Sequence, residues 1–112
     1  VGFGSLPDNI PVEIEGILKI KKLKLRLENE LIADYDETRT LVSVRFSSKF
    51  TQIEGIGSEF FAKLFMYKDR IRLSFTDGLI KVTLKKTDKW IDELIHIIDI
   101  AILLYNKKYE IR

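Results

Sequence analysis

The chain has no cysteine, one histidine, one methionine and two prolines in 112 residues. Without cysteine there are no disulfides, no thiolate metal sites and no thiol nucleophile. A lone histidine, His96, excludes His-rich metal clusters, and a lone methionine, Met66, excludes the Met-rich grooves of promiscuous binders. An excess of one charge is missing too. The 19 Lys and Arg residues stand against 17 Asp and Glu, and a net +2 does not mark a nucleic-acid binder on charge alone. Long apolar runs are also lacking. Leu94 to Tyr105 is the longest; it is interrupted by His96 and Asp99 and falls short of the roughly 20 residues a membrane span needs. The expectation is a protein that does not cross a membrane and that holds neither metal nor cofactor.

What is present suits one domain over residues 1–112, with hydrophobic residues at 46% and charged residues at 32%, a globular balance. Isoleucine, leucine and lysine are abundant and glutamine occurs once, a heat-adapted style of composition. The start Val1-Gly2-Phe3-Gly4-Ser5 has neither the basic nor the apolar region of a secretion signal, and with the missing cysteines it points to the cytoplasm. It also has no initiator Met, which fits residues missing upstream. Pro7 and Pro11 mark breaks in the opening segment.

From Val12 the sequence alternates. Val12, Ile14, Gly16, Leu18 and Ile20 share one phase, which slips at Lys21-Lys22. Leu23, Leu25, Leu27, Asn29, Leu31, Ala33 and Tyr35 then line one face, and the pattern predicts two strands. A third, Thr40 to Phe50, carries Val42, Val44 and Phe46 inward. A loop at Asp36 to Arg39 pairs Tyr35 with Thr40, Ala33 with Val42 and Leu31 with Val44, and sets Glu30 opposite Arg45. Asp77-Gly78 between two alternating runs has the composition of a two-residue type I′ turn, pairing Phe75 with Ile80, Leu73 with Val82 and Ile71 with Leu84. The C-terminal segment from Trp90 to Lys108 reads as a helix, with Asp92 and Glu93 in its first turn and Lys107-Lys108 in its last. Its stripe is Ile91, Leu94, Ile95, Ile98, Ile102 and Tyr105, while Ile100 and Leu103 intrude on the polar side.

Residues 58–67 fit two periods. Ser58 as a cap with Phe60, Phe61, Leu64 and Phe65 on one face makes a helix; Phe60, Ala62, Leu64 and Met66 inward make a strand. The strand reading gives an α+β fold in which a curved antiparallel sheet of five to six strands packs on one long C-terminal helix. That order resembles the later two-thirds of the helix-grip fold of START-type lipid-transfer domains and pollen-allergen relatives. The resemblance rests on Pro11-Val12-Glu13-Ile14-Glu15-Gly16, the strand pairs above and Trp90 to Lys108 as the gripped helix. The family's first strand and two short helices have no counterpart here. The resemblance implies an apolar cavity between sheet and helix that holds a lipid or another hydrophobic small molecule. The helix reading is instead similar to small chaperone-like or adaptor domains that act as dimers on protein partners.

The candidate pocket sits between the helix residues Ile95, Ile98 and Ile102 and the aromatics Tyr35, Phe46, Phe50 and Phe75. Asn29 and Ser48, polar residues on apolar strand faces, would bond a ligand's polar end. Asp92, His96 and Asp99 share one helix face but offer a single strong nitrogen ligand, so they read as surface charge. Lys19, Lys21, Lys22, Lys24, Arg26, Arg70, Arg72, Lys81, Lys85 and Lys86 would make a basic sheet face. No aromatics are interleaved with them, so nucleic-acid binding is the least favoured use. Gly55-Ile56-Gly57-Ser58 lacks the lysine and spacing of a phosphate loop. With no nucleophile elbow and no paired carboxylates in an apolar setting, a non-catalytic role is expected. If the chain dimerises, Ile100 and Leu103 are the expected contact.

Overall fold

A computed structural model describes residues 12–110 of the chain, with side chains placed over 16–108. Helix α1 (Val12–Leu27) is followed by strands β1 (Ile32–Glu37) and β2 (Leu41–Phe46). Two short helices come next, α2 (Ser48–Thr51) and α3 (Ile56–Lys63), with a 3-10 turn at Phe65–Tyr67. Strands β3 (Ile71–Thr76) and β4 (Leu79–Lys85) lead into the long α4 (Trp90–Glu110). The fold is α+β. One antiparallel sheet of four strands, in the order β1-β2-β4-β3, carries the helices on one face and is not strongly curled. The breaks at Pro7 and Pro11 lie outside the described residues.

The centre of the sheet follows from the sequence directly. In β2 and β4, Val42, Val44, Phe46, Ile80, Val82 and Leu84 alternate with polar residues, and none of the six is more than 1% exposed. β-Branched side chains at every second position fit a pleated, half-buried strand. The β3–β4 hairpin has the expected register, with Ile71 opposite Leu84, Leu73 opposite Val82 and Phe75 opposite Ile80. Its turn puts Asp77 at φ 55° and Gly78 at φ 79°, as a type I′ turn requires. Helix α4 begins at Trp90 as expected and buries Leu94, Ile95, Ile97, Ile98, Ala101 and Leu104.

Three expectations are corrected. The strand expected over Thr40 to Phe50 ends at Phe46, after which Ser48–Thr51 turn into α2. Residues 12–27 form one helix rather than the first two strands, which reduces five to six strands to four. The Leu/Lys alternation there satisfies a period of two, but from Lys19 to Glu30 only Ile20 is β-branched and the rest are mostly straight-chain helix formers. As a helix the segment buries Leu23 and leaves Ile17, Leu18 and Leu25 more than half exposed. The segment from Val12 to Gly16, which carried the helix-grip resemblance, is the first part of this helix.

The β1–β2 register also differs. Tyr35 faces Val44, and Arg45 faces Asp34 rather than Glu30. Thr38 closes the hairpin against Leu41, its N–H donating to the Leu41 carbonyl at 2.8 Å while its Oγ1 accepts from the Leu41 N–H at 3.0 Å. The turn is therefore Arg39-Thr40. The register shifts between Ile32 and Asp34, leaving Ala33 as the bulged residue.

The ambiguous segment is helical. Ile56, Phe60 and Leu64, four apart, are all buried, and Phe60 meets Phe46 and Phe50 with ring centroids 5.3 and 5.2 Å away. Phe61, one residue on, is 43% exposed. Phe60→Ala should cost about 3–5 kcal/mol in urea unfolding followed by circular dichroism, whereas Phe61→Ala should stay within about 0.5 kcal/mol. Equal losses at the two positions would contradict this packing.

Candidate functional site

The nine residues expected to line one pocket are spread over the core, a turn and the surface. Phe46 and Phe50 are fully buried against each other, centroids 5.1 Å apart, as part of the core. Ile98 and Ile95 are buried on α4, and Ile102 is half-buried there. Asn29 lies in the α1–β1 turn, where its side-chain oxygen accepts the Leu31 N–H at 2.9 Å, a local turn-forming role. Ser48 is exposed at the start of α2. Phe75 faces the helix layer but sits at the rim, 67% exposed, so it is not an inward residue. In the core, Phe60 joins Phe46 and Phe50, with centroids 5.3 and 5.2 Å away.

The acidic face of α4 is used to hold α1. Lys19 pairs with Asp92 at 3.1 Å and Arg26 with Asp99 at 2.6 Å. Both pairs step seven residues along each helix in the same sense, so the two helices run parallel with Leu23 buried between the rungs. His96 turns elsewhere, to the Tyr67 hydroxyl, which is 2.6 Å from Nδ1. Burial, with the Glu93 charge second, raises the Tyr67 pKa. No group of three potential metal ligands is found among the described residues.

A second cluster joins β1 to the start of α4. Lys86 holds Glu37 at 2.6 Å and lies 4.6 Å over the Trp90 ring, while the Tyr35 hydroxyl donates to Glu37 at 3.0 Å. The Lys86 hydrogen bond is the main cause of a lowered Glu37 pKa, with Tyr35 next. Burial, then the Glu37 carboxylate, raises that of Tyr35. Beside them opens an apolar crevice of about 330 Å³ lined by Ile20, Leu23, Leu27, Tyr35, Trp90 and Ile91, with Lys24 and Glu37 at its rim.

The predicted basic sheet face divides. Five of its members belong to α1, Arg70 pairs with Glu93 at the end of β3, and Lys86 is held by Glu37. Arg72, Lys81 and Lys85 remain on the open face of the sheet, among Ser43, Thr83 and Ser74 and without aromatic neighbours there.

The most exposed apolar cluster lies at the opposite edge. Phe61, Phe65, Met66 and Phe75 are between 43% and 67% exposed. Phe61 and Phe65 meet edge to face at 6.3 Å, and Lys68 lies 4.7 Å over Phe65. Phe61, Leu73, Phe75 and Ile80 line a groove of about 410 Å³ floored by Gly55 and Gly57. Gly55, at φ 76°, is the left-handed residue that lets α3 begin at once, and Gly57 lies under the Phe75 ring. The chain matches no protein-family model, no curated protein and no solved structure. Function is therefore argued from the surface itself. Sequence reasoning named Phe75 but missed its partner Phe61: the helical reading put Phe60, Phe61, Leu64 and Phe65 on one face, whereas the buried stripe is Ile56, Phe60 and Leu64 and leaves Phe61 and Phe65 open. No helix of the described residues is long and apolar enough to cross a membrane.

The Glu37 cluster has a definite pH signature. Because the folded-state pKa of Glu37 is lowered, its contribution to stability is present above the ordinary Glu range and is lost as pH falls through the folded value. Tyr35 works in the opposite sense. Its raised pKa gives a contribution present below the ordinary Tyr range and lost as pH rises through the folded value. In Lys86→Met, carboxyl NMR should show Glu37 titrating at higher pH than in the wild type. An unchanged midpoint would remove Lys86 as the cause.

Proposed function

We propose that the protein is a non-catalytic interaction module whose working surface is the aromatic groove beside β3. The carrying observation is the exposure of Phe61, Phe65 and Phe75, with Phe61 against the Phe65 ring and across the groove from Phe75. Soluble monomers rarely leave such a cluster open, and aromatic residues and Met are the types enriched at protein interfaces. The polar rim of Ser58, Ser74 and Lys68 around an apolar centre is the usual anatomy of a protein-binding patch. The helical state of 56–63 favours the adaptor-like reading of the sequence over the lipid-transfer one. The titratable side chains that chemistry would recruit are engaged in structure: Asp92 and Asp99 by α1, His96 by Tyr67, Glu37 by Lys86.

A second reading rests on the crevice between α1, β1 and α4. Its size falls within the span of small-molecule sites, and its walls are apolar with one cation and one anion at the rim. It would suit an apolar molecule with a single polar end, held by Lys24.

The interaction reading predicts a protein retained from cell extract by the wild type and lost by the Phe61→Ser/Phe75→Ser double variant, both being folded by circular dichroism. Equal retention would end it. For the crevice, Trp90 is the only tryptophan and reports directly. A medium-chain fatty acid should quench its fluorescence saturably in the wild type and not in Leu27→Glu, and an unsaturable response in both would discard the site.

A further inference from the structure

The two edges of the sheet are built differently. β1 carries the bulge at Ala33 and three acidic residues in six, Asp34, Asp36 and Glu37, both of which discourage an added strand. β3 pairs regularly over all six residues, with Arg72 as its one charge and with an exposed Phe75.

The hairpin also determines which β3 amides are spare. A two-residue turn makes Thr76 and Leu79 a hydrogen-bonded pair, so alternation directs Ser74, Arg72 and Arg70 toward β4. The Lys85 N–H accordingly donates to the Arg70 carbonyl at 2.9 Å. The Ile80 N–H, out of phase with these, donates away from β3 to the Thr51 hydroxyl at 3.2 Å. Ile71, Leu73 and Phe75 therefore aim their N–H and C=O groups outward, away from β4.

We propose that this edge is occupied by β3 of a second copy of the chain, antiparallel about a two-fold axis through Leu73. The inference rests on the reading of this face as a protein-binding surface and names its partner. Leu73 pairs with its own equivalent and Ile71 with Phe75 of the second copy, so the outward amides of both strands meet in about six main-chain hydrogen bonds. Ile71 against Phe75 is a β-branched–aromatic cross-strand pair, and it covers the exposed ring. The four-stranded sheet becomes one continuous sheet across the axis, with the helices of both copies on the same face.

Charge and the turn disfavour the registers centred on Ile71 and Phe75, and the register centred on Leu73 gives all three outward-aimed residues, Ile71, Leu73 and Phe75, an outward-aimed partner within the strand. Centred on Leu73, Arg72 faces Ser74 and Arg70 faces Thr76 of the other copy. Centred on Ile71, Arg70 would face Arg72, like charges directly opposed. Centred on Phe75, the pairing would run into the Asp77-Gly78 turn. One strand meeting its own copy this way supplies the self-complementarity that a two-fold contact needs. The contact lies on β3 rather than on α4, where Ile100 is packed partly against the core and Leu103 stands exposed.

The absence of cysteine makes the test clean. Hydrogen-bonded antiparallel partners have Cα atoms about 5.5 Å apart, within disulfide range, so full-length Leu73→Cys should form a covalent dimer under mild oxidation. Arg72→Cys, whose equivalents are offset in this register, should not. The wild type should sediment at twice the chain mass. Leu73→Pro removes an N–H that no bond within the fold uses, on an edge strand where proline is tolerated, and should halve that mass while keeping the circular dichroism spectrum. If Leu73→Pro fails to fold, Phe75→Lys provides the same loss. A wild type that stays monomeric at every concentration overturns the proposal, as does a dimer indifferent to Leu73→Pro and Phe75→Lys. A monomer that still retains another protein through Phe61 and Phe75 ends self-pairing alone. A monomer that retains nothing ends the protein-binding reading with it.

Discussion

Three phenyl rings from three separate elements meet under the sheet, and most of the architecture depends on that meeting. Phe46 ends β2, Phe50 lies in the single turn of α2 and Phe60 in α3, with centroids 5.1 to 5.3 Å apart. Neither α2 nor α3 is long enough to persist as an isolated helix in water. Each is held because one aromatic side chain has nowhere drier to go, and the tilted and edge-on arrangements add to the burial. Once Phe60 is fixed, helical geometry turns Phe61 outward and brings α3 alongside β3. The packed interior and the aromatic surface are thus two results of one cluster.

The attachment of α1 is of another kind. Its rungs to α4 are partly exposed ion pairs, and pairs of this sort contribute little net stability. Burial of Leu23 supplies the attraction, while the charges define direction and register, since sliding α1 by one turn would leave Asp92 and Asp99 without their partners. This explains how a helix with exposed Ile17, Leu18 and Leu25 can still have a definite seat. It also explains the otherwise odd acidic run on a helix whose remaining faces are apolar.

Legibility in the sequence followed the distance over which each signal acts. The β3–β4 hairpin was readable because Asp77-Gly78 dictates the turn and the turn dictates the register. Helix α4 was readable because a long stripe has one period only. Residues 12–27 misled because Leu/Lys alternation serves both periods, and the signal that separates them is side-chain shape: straight chains in α1, β-branched chains in β2 and β4. The β1–β2 register was wrong because Thr38 closes the turn through its own hydroxyl and because a bulge changes the count at Ala33. The pocket is a different kind of expectation. Inward residues can be read from alternation, but whether they enclose a void or pack on one another depends on long-range packing, and here Phe60 reaches Phe46 and Phe50 from a separate element. The exposed groove was hidden by the choice of helical face, since the buried stripe runs through Ile56, Phe60 and Leu64 and leaves out Phe61 and Phe65.

The bulged, acidic β1 edge has an effect beyond its own strand. A sheet that accepts neighbours on both sides can lengthen without limit, which is the route to cross-β fibres. Here only one side offers regular, weakly charged backbone, and the far side is carboxylate-lined and kinked. Such a unit behaves like a monomer with a single reactive end, so any edge-to-edge addition consumes the available end and stops. The three carboxylates of β1 therefore act as a chain terminator, limiting what an aromatic, aggregation-prone edge on the opposite side can nucleate.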